Sequence, residues 1–99
     1  MAKSYLQDDF LRVFAAGHKV AAKRLLRRLA EAGLPSEIQS QAEAIVHDEL
    51  RGLYHGSLVV FDGGSSLADE GLIKIVDDEG VPFISYLHEI CLPAYDEVV

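Results

Sequence analysis

From Ser4 to Ala32 the chain contains no proline and is rich in Ala, Leu, Lys and Arg, with apolar residues at Leu6, Phe10, Val13, Phe14, Ala21, Ala22, Leu25, Leu26 and Leu29. That recurrence collects side chains on helix faces and matches no strand alternation, so the segment is committed to a helix. At about 100° per residue the first apolar group lies about 90–100° around from the second. Gly17 stands between them, which predicts a kink or break there. Gly33 followed by Leu34-Pro35 predicts the stop.

Ser36 with Gln39 three residues on reads as a capping box opening a second helix. Its apolar residues Ile38, Ala42, Ile45, Val46, Leu50 and Leu53 fall on one arc, and Gly56 is the expected end. His55 would then sit at the negative end of the helix dipole. Beyond Gly56 the texture turns strand-like: Leu58–Phe61, Leu72–Val76 and Val81–Ser85. Asp77-Asp78-Glu79-Gly80 predicts a hairpin turn with Gly80 at positive φ. Pro82 lacks a ladder donor, which assigns the third strand to an edge or a bulge. The connection 62–71 has room for one helical turn capped by Ser65 or Ser66. Tyr86–Leu92 reads as a short helix halted by Pro93. The fold class implied is α+β: two N-terminal helices on a small three-stranded antiparallel sheet, with a short C-terminal helix.

With 99 residues the chain has the length of one domain, 1–99, and its 49% hydrophobic and 25% charged residues exclude the disordered and fibrous classes. The single cysteine, Cys91, excludes an internal disulfide framework and suits a reducing compartment. No apolar run approaches a membrane span and the first residues carry no export signal, so a cytoplasmic protein without membrane contact is expected. Charge is segregated: residues 1–34 hold seven Lys/Arg and three Asp/Glu, the remainder two and thirteen, for a net −7. Lys19, Lys23 and Arg27 stack on one helix face, so an acidic counterpart is expected in the second half of the chain or in a neighbouring copy. The overall charge and the lack of interleaved aromatics disfavour nucleic acid.

Glu49 projects into the apolar arc of the second helix, where a carboxylate would need Arg12 or Arg24 as partner, a raised pKa at a site, or an exposed place at the domain's edge. His47, His55 and His88 could gather with a carboxylate, yet no metal-ligand spacing is present, so no metal or cofactor is expected. Gly63-Gly64 lacks the Lys-Ser/Thr of a phosphate loop and is flanked by acids, which leaves a turn or a recognition loop. Ile90-Cys91-Leu92 reads as a buried thiol, with His88 on the same helix face. No nucleophile elbow surrounds the serines, and nothing marks the chain as an enzyme.

Through Phe61-Asp62-Gly63, Asp78-Glu79-Gly80 and Leu87-His88-Glu89 the second half resembles small bacterial accessory and immunity-type proteins of mobile-element cassettes. The resemblance covers some 40 residues and implies a binding role with no catalytic residue. The first functional reading is accordingly an acidic interaction protein, immunity-like or regulatory, that meets a basic partner through Asp62, Asp69, Glu70, Asp77, Asp78 and Glu79. The alternative is a small-ligand binder or enzyme with a pocket between helices and sheet around Glu49, His47 and His88. A homodimer, in which the rotated stripe of the first helix continues into a neighbour, is compatible with the first reading.

Overall fold

A computed structural model describes residues 4–64, 69–83 and 86–98. Its elements are α1 (Ser4–Glu31), a single 3-10 turn at Ser36–Ile38, α2 (Gln39–Phe61) and α3 (Leu87–Glu97). Among the described residues there is no strand, only an isolated antiparallel bridge between Val76 and Pro82. The architecture is therefore all-helical, and the α+β expectation is corrected. No helix among the described residues is long and apolar enough to cross a membrane.

α1 runs unbroken through Gly17, contrary to the expected kink. A glycine inside a helix costs about 1 kcal/mol, less than a severed helix would lose in packing. Gly17 also lies on the outer face, where a Cβ would meet nothing within 4 Å. Leu11, Ala15 and Ala22 form the buried line of α1, with Phe10 and Phe14 packed beside it. Its end is the anticipated one: Leu34 N–H bonds Leu29 O at 3.0 Å, Gly33 N–H bonds Ala30 O at 3.1 Å, and Gly33 has φ 102°.

The Ser36–Gln39 capping box does not form. Pro35 occupies the cap of the 3-10 turn, Ile38 precedes α2, and neither supplies a side-chain cap bond. At its other end α2 passes through Gly56 and absorbs the first expected strand, stopping only after Phe61. Continuing the helix carries Tyr54, Leu58 and Phe61 onto one face, i, i+4 and i+7. Burying Leu58 alone is worth about 1.5–3 kcal/mol, which outweighs the few tenths by which each Val disfavours a helix. The stop is a second glycine motif, with Gly64 N–H on Val59 O at 2.8 Å, Gly63 N–H on Val60 O at 3.1 Å and Gly63 at φ 84°.

With 58–61 helical, the second and third expected strands have no third segment to pair with. Residues 72–83 form instead an extended excursion closed by Phe83 N–H on Ile75 O at 2.8 Å and Asp77 N–H on Val81 O at 2.9 Å. Pro82 has no N–H with which to extend the pairing. The expected turn is present, with Gly80 at φ 82°. The last two residues of the third expected strand, Ile84 and Ser85, and the helical turn expected at Ser65 or Ser66, lie outside the described residues.

α3 is longer than expected because Pro93 sits inside it. Losing one helical hydrogen bond there is offset by burial of Leu87, Cys91 and Tyr95 against α1 and α2. Tyr54 is the keystone. It is fully buried, contacts the rings of Phe14, His18 and Tyr95, and shares its single hydroxyl proton between Leu11 O on α1 and Cys91 O on α3, each at 3.1 Å. Burial, reinforced by Cys91 and Tyr95, pushes its phenol far up.

Candidate functional site

The densest polar chemistry lies where α2 hands over to α3. Asp62 follows the last residue of α2, and its carboxylate reaches the start of α3, accepting the His88 backbone N–H at 2.8 Å together with His88 Nδ1. A helix start leaves N–H groups without intrahelical partners, and α3 has no side-chain cap of its own at Tyr86, which adopts φ 69°. Asp62 thus caps α3 from another helix, at the end where the dipole favours an anion. Its side chain is only 7% exposed. Burial alone would raise its pKa, but the bonds from the His88 backbone, the His88 ring and the Leu87 backbone prevail and hold it below the ordinary value.

The His55 ring stands 5.8 Å from that of His88, centroid to centroid, and the Tyr86 ring 6.5 Å. A proton on His88 Nδ1 directed at Asp62 would leave Nε2 of the neutral ring as a base. Cys91 is buried, donates its thiol proton to His88 O at 3.3 Å, and burial pushes its pKa up. Among the described residues no three His, Cys, Asp or Glu side chains are placed to hold a metal ion.

Beside Asp62 opens a cleft of about 230 Å³ of mixed polar and apolar character, where Lys74 stands among Phe61, Leu72, Ile73, Ile75 and Phe83. Its outer wall is the excursion 72–83, held in shape by Asp77. The Asp77 carboxylate is turned inward, and its Oδ1 accepts the Glu79 and Val81 N–H groups at 2.9 and 3.0 Å. Of the six acids expected to form a contact surface, Asp62 and Asp77 therefore shape the backbone. Asp69, Glu70, Asp78 and Glu79 are exposed.

The alternative group is not brought together. Glu49 is exposed, because most of the arc that predicted its burial faces outward: Ile45 is 62% and Leu53 60% exposed, while the buried residues of α2 are Val46, Tyr54 and Leu58. His47 is half-buried, eight residues and about 12 Å along the axis from His55, the histidine that does meet His88. Neither Glu49 nor His47 lines the cleft. His55 sits within α2, short of its end, so the expected dipole contact does not occur.

The segregated charges meet in part. Arg12 lies 3.6 Å from Glu97, and Lys19 donates to Val98 O at 2.6 Å while its ammonium stands 4.8 Å above the Tyr95 ring. Arg51 grips Asp96 with two bonds of 3.0 Å and lowers that carboxyl's pKa. Lys23, Arg24 and Arg28 are exposed, and no described carboxylate lies within ion-pair distance of them. Sequence reasoning named Asp62 and His88 in separate groups and missed their pairing. The signal was an acid directly before Gly63-Gly64, the signature of a helix end. Comparisons of the chain with protein-family models, curated proteins and solved structures find no match.

Proposed function

We propose that the chain is a protein-interaction domain that docks a basic segment with an apolar anchor, using the connection between α2 and α3. An immunity-like or regulatory partner of a basic protein is one form of this reading. The observation that carries it is the placement of the cleft. Its walls at 72–75, apolar but for Lys74, and at 82–83 are flanked along the chain by the exposed acids Asp69 and Glu70 on one side and Asp78 and Glu79 on the other. A cleft with largely aliphatic and aromatic walls, and with acids next to those walls in the chain, suits an aliphatic or aromatic anchor between Lys or Arg residues. A net charge of −7 adds a long-range field that speeds encounter with a cationic partner. The Asp62–His88 pair supports the same reading, since it ties the cleft wall at Asp62 to the start of α3.

The test is an NMR titration of the isotope-labelled protein with Lys/Arg-rich decapeptides carrying one Leu, Phe or Trp, against acidic peptides with the same anchor. The reading expects shifts confined to 69–83 and neighbouring residues of the cleft, weakening as salt rises and abolished in a Glu70→Lys, Glu79→Lys double variant. Equal binding of the acidic set, or shifts elsewhere on the molecule, would refute it.

A further inference from the structure

α1 carries a second apolar line that its own fold leaves largely uncovered. Leu6, Phe10, Val13, Gly17 and Val20 follow one another at steps of four, three, four and three residues, the spacing of a two-helix seam. At about 100° per residue the middle of this line lies on the far side of α1 from Leu11, Ala15 and Ala22, which face α2 and α3, while Phe10 at its edge also packs against the core and against the Phe83 ring at 6.0 Å. Val13 is 72% and Val20 53% exposed. Beside them Leu6, Phe10, Val13 and Phe14 line a shallow, open apolar depression with Asp9 at its edge. At Gly17 there is open space where a side chain would stand.

We infer that this seam pairs with the same seam of a second copy, the two α1 helices running antiparallel about a two-fold axis beside Ala16. The charge pattern selects both the occupant and the direction. Along α1 the acids Asp8 and Asp9 precede the seam's centre, and the bases Lys23, Arg24, Arg27 and Arg28 follow it. Parallel pairing would set bases against bases. Antiparallel pairing with Val13 of one copy opposite Gly17 of the other sets Phe10 opposite Val20, so the larger side chain of each layer meets the smaller. In that register the flanking positions bring Asp9 of each copy to Lys23 of the other, twice by symmetry, and Ala16 to Ala16 on the axis. Arg24, exposed and without a described carboxylate in range, falls beside Leu6 and within reach of Asp8 or Asp9 of the second copy. This interface meets the α2–α3 connection at Phe10 and Phe83, but Val13, Ala16 and Gly17 at its centre do not line the cleft, so either proposal can fail without the other.

Sedimentation equilibrium of the full chain measures the association. The expected result is a dimer that Val13→Glu converts to monomer with an unchanged far-UV circular dichroism spectrum. Asp9→Lys should raise the dimer dissociation constant by about tenfold at low salt, and adding Lys23→Asp should restore it. Ala16→Cys, read against wild type in which the only thiol is the buried Cys91, should give a disulfide-linked dimer on mild oxidation. A monomer at millimolar concentration would overturn the inference. So would a dimer indifferent to Val13→Glu, or an Ala16→Cys variant whose introduced thiols do not cross-link to each other.

Discussion

Replacing Asp62 by Ala probes both the cap of α3 and its tie to α2. The carboxylate accepts the His88 backbone N–H at 2.8 Å and the His88 ring, with its side chain 7% exposed. Loss of a helix N-cap costs about 1 kcal/mol, and loss of a hydrogen bond to a charged group about 1.5–3 kcal/mol. One oxygen makes both contacts, so the costs overlap, and about 2–3 kcal/mol is expected for Asp62→Ala at pH 7. Against a total stability of about 5–15 kcal/mol for a chain this long, that lowers Tm by about 10–20 °C. The pH dependence follows from the direction of the shift. The folded carboxyl lies below its ordinary 3.8, so its contribution is complete above that pH and is lost as pH falls through the folded value. Urea melts of wild type and Asp62→Ala should therefore differ fully at pH 7 and draw together as pH falls through the folded carboxyl's lowered pKa, while Asp62→Asn should show a smaller deficit at pH 7. A deficit under about 0.5 kcal/mol at pH 7, or one that does not shrink on acidification, would refute the reasoning.

Two tyrosines should behave oppositely. Tyr54→Phe removes the hydroxyl that bridges three helices and should cost about 1 kcal/mol in urea melts. Tyr95→Phe should be neutral or stabilising, since that hydroxyl is buried with no hydrogen-bond partner among the described residues. Cys91 should react with a thiol reagent such as DTNB only as the protein unfolds, its modification rate following denaturant, because it is buried and its pKa is raised. Gly63→Ala should cost about 1–2 kcal/mol in thermal melts, as Gly63 holds φ 84° at the end of α2; a residue in a strand turn free to rearrange would cost less.

The helices that could be read from the chain are those whose signals are local. α1 declares itself by period and composition, its end by Gly33, and the 77–80 turn by its acids and Gly80. The errors all arise where packing outweighs local preference. Val59 and Val60 favour a strand by a few tenths of a kcal/mol each, yet they are carried along because Tyr54, Leu58 and Phe61 need one more helical face. Pro93 stops an isolated helix, but α3 is held from both sides by Asp62 and Arg51. Glu49 looked buried because periodicity shows that a stripe exists without showing which way it faces. On α2 the inward direction is chosen by Tyr54, and Ile45, Glu49 and Leu53 are left outside. The Asp62–His88 contact joins residues 26 apart, a distance at which no spacing rule operates.

The account stands on a division among six carboxylates: Asp62 and Asp77 hold the backbone, whereas Asp69, Glu70, Asp78 and Glu79 are exposed and adjoin the cleft's wall segments in sequence. Changing each to Ala and measuring, on the same samples, the thermal midpoint and the affinity for a basic peptide with an aromatic anchor tests that division directly. The prediction is that Asp62→Ala and Asp77→Ala lose stability, that Asp69→Ala and Glu70→Ala keep their melting temperature, and that binding weakens in all four exposed variants. Losses of stability spread evenly over all six, or undiminished binding in the four exposed variants, would contradict it.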